Sequence, residues 1–101
     1  MRKLQESFKG RASQSTFNFT LIEREEHKAL YKKENEITGN IYYEAIIVRI
    51  SKEANIGGNI IPESEKYPSD NEFGTYGICT SCLDRATEYY NQINYTPNPI
   101  N

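Results

Sequence analysis

The 101-residue chain has no tryptophan, one histidine, one methionine and two cysteines. Each shortage removes a class of chemistry. Cysteine and histidine together supply three metal ligands, one short of the four that a structural zinc site takes. The single histidine, His27, stands in the charged run Arg24-Glu25-Glu26-His27-Lys28 with no partner at a catalytic spacing, and is read as a solvated turn residue. No run approaches the ~18 apolar residues of a membrane helix. The start, MRKLQESFKG, has no apolar core of a secretory leader, so the cytoplasm of a host cell is the expected compartment and free thiols the expected cysteine state. Gly57-Gly58-Asn59 lacks the Gly-Lys-Ser/Thr ending of a phosphate loop. No cofactor, metal or catalytic group is expected.

The chain does have tyrosine, eight of them beside four phenylalanines. It also has charge, spread unevenly. Residues 1–16 carry Arg2, Lys3, Lys9 and Arg11 against Glu6 alone, while residues 53–101 set Lys66 and Arg85 against seven acids, for a net charge of -2 overall. An acidic second half argues against general nucleic-acid binding by the folded part. A mean hydropathy of -0.76 leaves room for one core, and the length suits a single domain.

Along the chain, residues 1–16 read as a polar, basic, flexible arm. In residues 17–22, Phe17, Phe19 and Leu21 share one face, the period of a half-buried strand. Residues 29–32 return as its hairpin partner. Residues 41–51 are apolar on both faces, as a central strand is. Ile60-Ile61 before Pro62 predicts a short edge strand able to pair with a second copy of the chain. Residues 73–79 form the last strand, with Gly74 and Gly77 marking a bulge or a close backbone approach. Ser81 is read as the N-cap of a helix whose inner face is Leu83, Ala86, Thr87 and Tyr90. The sum is an α+β domain over residues 17–94. It is an antiparallel meander of four to five strands with one C-terminal amphipathic helix on one face, followed by an extended tail at 95–101 that its prolines keep from being helical.

Cys79-Thr80-Ser81-Cys82 is the conspicuous motif. Its first cysteine ends a strand and no parallel sheet surrounds it, so a dithiol oxidoreductase does not fit, and Cys79 is read as a small core residue. Glu44 interrupts the apolar face of Tyr42, Ile46, Val48 and Ile50, and Lys32 or Arg24 is its expected cross-strand partner. Arg49, on the opposite face, gets the same structural reading. The tyrosines exceed what a small core needs, and tyrosine is favoured at interfaces. Tyr76 and Tyr89, with Glu63, Glu65 and Asp70, are therefore the expected partner-binding residues.

Tyr67-Pro68-Ser69, Phe73-Gly74, Ser81, Leu83 and Ala86 resemble the C-terminal signature of small accessory proteins of phages and mobile elements, over roughly residues 65–93. The resemblance implies a small protein that inhibits a host protein, such as a component of a defence system (an anti-CRISPR role, for example), and carries no catalytic residues. Phe73-Gly74-Thr75 also stands where WGR domains, which contact nucleic acid, have Trp-Gly-Arg. The expectation is a non-enzymatic protein that binds a host protein. The alternative is a nucleic-acid module using the basic arm and exposed aromatics.

Overall fold

The structure, a computed structural model, describes residues 3–93 of the chain. The tail expected at 95–101 lies outside the described residues. The main sheet is antiparallel and five-stranded, in the order β1 (Ser7–Lys9), β2 (Phe17–Glu25), β3 (Lys28–Asn35), β4 (Ile41–Ile47), β9 (Gly77–Thr80). One helix, α1 (Leu83–Gln92), packs on one of its faces. The α+β meander read from the sequence is therefore the architecture of the protein.

Strand parity decides what each face buries. Leu30 of β3 and Ala45 of β4 meet Ala86 and Tyr90 of α1, with Tyr43, Ile78 and Tyr89 packed against them. The opposite face carries Phe19, Ala29, Tyr31, Ile46 and Val48. It is covered by Leu4 and Phe8 from the N-terminal segment and by Tyr67 and Phe73 from the connector before β9. Both faces are covered, which is why β4 is apolar on both sides.

The helix is held at both ends by strand residues. Its N-cap is Cys82, which makes no side-chain cap bond, rather than the expected Ser81. Thr80 supplies the polar partner instead, its Oγ1 accepting the Cys82 amide at 3.2 Å. At the other end Lys28 donates from Nζ to the Tyr90 carbonyl at 2.9 Å, placing a cation where the helix dipole is negative. Leu83 is exposed, so the inner face is carried by Ala86 and Tyr90.

Three further expectations are corrected. The N-terminal segment is not a free arm. Gln5 O accepts the Tyr31 hydroxyl at 2.7 Å, and β1 pairs with β2 in the register Phe8↔Phe19. Phe8 stacks on Phe19 with ring centroids 4.7 Å apart, and with Leu4 it packs an otherwise polar stretch onto the sheet. The strand expected over 73–79 begins only at Gly77, where an added Cβ would lie 3.0 Å from Ala45 O, so the glycine does mark a close approach.

The strand expected over 41–51 breaks after Ile47. Its remainder belongs to a β-ribbon outside the main sheet. In the ribbon, β5 (Arg49–Ser51) pairs with β8 (Ser64–Lys66), and β6 (Ala54–Ile56) pairs with β7 (Asn59–Ile61). Gly57 and Gly58, both at positive φ, make the tip. Ile60-Ile61 therefore forms the short edge strand expected of it, within this ribbon.

Phe8→Ala removes a ring from the covered face and is expected to lower unfolding free energy by about 3 kcal/mol. Urea titration measures this, and a flexible N-terminus would show no change.

Candidate interaction site

The ribbon is anchored by ion pairs at its root. Glu65 of β8 accepts two bonds from the Arg24 guanidinium of β2, at 2.8 and 2.6 Å, and a third from the Leu4 amide at 3.0 Å. Its side chain is 4% exposed. The bonds from Arg24 hold the Glu65 carboxyl below the usual carboxylate range, against the opposing pull of burial. On the other ribbon strand Arg49 donates to Glu72 at 2.7 Å and lies over the Tyr76 ring, 3.8 Å from its centroid. Glu72 also closes a capping box with Ser69, accepting from the Ser69 amide at 2.9 Å, and its pKa falls to about 2, the Arg49 bond being the largest cause.

Beyond this root the ribbon is apolar and uncharged. Residues 54–62, Ala-Asn-Ile-Gly-Gly-Asn-Ile-Ile-Pro, hold no ionisable side chain. Ile56, Ile60 and Ile61 are 62%, 67% and 49% exposed. The pairings Ala54↔Ile61 and Ile56↔Asn59 set Ala54, Ile56 and Ile61 on one face, with Ile60 opposite. Two strands carrying this much exposed β-branched surface do not form a stable unit alone. Lys52, Glu53, Pro62 and Glu63 flank the tip, the kind of residue that protects such segments from self-association.

A second cluster lies under the connector. Glu44 (4% exposed) and Lys33 (8%) are the buried charged residues of the described chain. Lys33 Nζ is 3.1 Å from Glu44 Oε2, and the Tyr67 hydroxyl donates to Oε1 at 2.5 Å. The partner is Lys33, not Lys32 or Arg24. Glu44 pairs with Tyr31 across the strands, which puts Lys33 on the Glu44 face and Lys32 on the helix side. Burial, then the charge of Glu44, raises the Tyr67 hydroxyl well above its ordinary pKa. Cys79 sits across from Glu44 in β9 and is exposed, not the core residue expected from the sequence; partial desolvation, then that carboxylate, pushes its thiol up to about 11. A raised thiol pKa is the opposite of what a reactive cysteine needs. Among the described residues, no group of three or more His, Cys, Asp or Glu is arranged to hold a metal ion.

The expected partner-binding residues do not form one surface. Glu65 points inward onto Arg24, so it is structural. Tyr76 lies under Arg49, and Tyr89 packs partly against the helix core. Asp70 is exposed and Glu63 half-buried. Of the cations in the expected arm, Lys9 is 2.8 Å from Glu36 and Lys3 is 3.9 Å from Glu65. Ile60 and Ile61 were expected in a strand able to pair with a second copy of the chain, whereas Ile56 was missed because residues 53–59 read as a glycine loop. The two-residue spacing of Ala54 and Ile56 was the available signal. No family model, curated protein or solved structure matches the chain. Among the described residues no helix is long and apolar enough to cross a membrane.

Both root carboxylates have depressed pKa values. Their stabilisation is present above the unfolded-state value of 4.5 and is lost as pH falls, for Glu72 through about 2. Urea midpoints are expected to fall steadily between these limits, and the Glu72→Gln protein to show a shallower slope. Arg24→Met leaves Glu65 without its main cation, at an expected cost of about 2 kcal/mol at neutral pH.

Proposed function

We propose that the chain is a small non-enzymatic binding protein that acts by protein–protein contact, with the ribbon tip as its docking element. The observation that carries this reading is the set of exposed isoleucines on an uncharged ribbon held by two ion pairs at its root. Burying the exposed isoleucines of this projection supplies the driving force for docking. The partner this surface suits is a protein with an uncharged apolar cleft or an open sheet edge able to take the ribbon as added strands. Glu53 and Glu63 flank the tip against Lys52 alone, which favours a partner with a basic rim. The resemblance of residues 65–93 to phage accessory proteins makes a host protein, within a defence system, the setting in which to look.

The test is affinity capture from host cells with tagged wild type and with the double variant Ile56→Lys/Ile61→Lys. The variant is expected to lose the captured partner while its unfolding free energy in urea stays within about 0.5 kcal/mol of wild type. Retention by this variant, with loss on charge reversal at Glu63 and Asp70, would move the interface from the ribbon to the acidic surface.

A further inference from the structure

A cavity of about 400 Å³ lies between the N-terminal loop of residues 9–14, the main sheet and the connector of residues 67–73. Its volume falls within the ~300–1,000 Å³ typical of small-molecule sites. The walls are aromatic: Phe8, Phe19, Tyr67 and Phe73, with Pro68 beside them. Phe8 and Phe19 are stacked with an interplanar angle of 5°, and Tyr67 stands edge-on to both at 5.7 and 6.0 Å. A planar ring is the shape that packs best against such walls. At the inner end Glu44 asks nothing of a ligand, because Tyr67 and Lys33 already occupy its two oxygens.

The polar groups left over are of two kinds. Gln14 Oε1 is a buried acceptor with no partner, and Asp70 is an exposed carboxylate whose Oδ2 accepts a long 3.3 Å bond from Ser13. Both call for a donor. Arg11 is an exposed cation at the same opening, and it calls for an anion, whereas Lys9 is already matched to Glu36.

We infer that this cavity binds a free aromatic amino acid, with its ring against Phe8, Phe19, Tyr67 and Phe73, its carboxylate toward Arg11 and its ammonium toward the exposed Asp70 carboxylate. A phenylalanine within a peptide fits the walls equally well but brings neutral amides to Arg11 and Asp70, where charge-assisted bonds are the stronger ones. The inference is independent of the ribbon, which lies outside the cavity lining.

The experiment is a two-dimensional NMR titration of the full chain with five probes: L-phenylalanine, 3-phenylpropionate, phenethylamine, L-alanine and N-acetylphenylalaninamide. L-Phenylalanine is expected to shift the amides of residues 8–14 and 67–73 saturably. The two single-charge analogues should bind about fivefold more weakly, the loss of one exposed ion pair, and L-alanine should cause no shift. Arg11→Gln is expected to weaken L-phenylalanine about fivefold while leaving phenethylamine unchanged, and Asp70→Asn to leave 3-phenylpropionate unchanged. Both positions are exposed, so neither substitution threatens the fold. Absence of saturable shifts with L-phenylalanine overturns the inference. So does equal binding of the blocked amide, which would make the cavity a subsite for a peptide side chain. The Ile56→Lys/Ile61→Lys protein is expected to bind L-phenylalanine as wild type does, which separates a failure here from a failure of the ribbon reading.

Discussion

The contact between Arg24 and Glu65 joins three parts of the chain that share no strand pairing at that point. Arg24 belongs to the longest strand, Glu65 to the ribbon, and the Leu4 amide, which also bonds Glu65, to the segment leading into β1. A carboxylate this deeply buried is costly to desolvate and is tolerated because three donors converge on it. The geometry follows from that requirement. The ribbon must leave the sheet where β8 can reach Arg24, and the N-terminal segment must cross the sheet where its amide can reach Glu65. The covered face is therefore closed by a polar clamp at one end and by stacked aromatic rings in the middle.

The two faces of the sheet are sealed in different ways. The helix face is small and apolar, with Ala45 against Ala86 and Lys28 holding the helix end. The other face encloses a lysine, a glutamate and a tyrosine hydroxyl in one network. Buried polar networks fix one arrangement strongly, because any other leaves a charge unmatched in low dielectric. Lys33 also lies over the Phe17 ring at 4.4 Å. The cation is thus shared between a carboxylate and an aromatic face, which eases its removal from water.

Much of the scaffold was legible in the residues. The alternation of Phe17, Phe19 and Leu21 marked β2, the two-sided apolarity of residues 41–51 marked a central strand that in fact ends at Ile47, and the helix stood out by its period. Glu44 was also legible as an anomaly, since a carboxylate on an apolar face needs an explanation wherever it falls. What could not be read were partnerships across long separations. Glu65 looked like one more surface acid because Arg24 is 41 residues away in sequence. Tyr76 looked free because nothing local reveals that Arg49 covers it. The N-terminal segment looked like an arm because charge dominates its composition and only Leu4 and Phe8 carry its packing. Propensity and period are local quantities, and these features are decided by tertiary contact.

The tip of the ribbon has one more property. A Cβ added at Gly57 or Gly58 would meet no atom within 4 Å, and the strands leading to the turn take no part in either core cluster. A chain inserted between those glycines would extend into open solvent without disturbing the Arg24 clamp or the helix. The turn is thus a natural graft point. A foreign loop or a reporter placed there would ride on an intact scaffold, and would turn the protein into a carrier whose cargo sits clear of both core clusters.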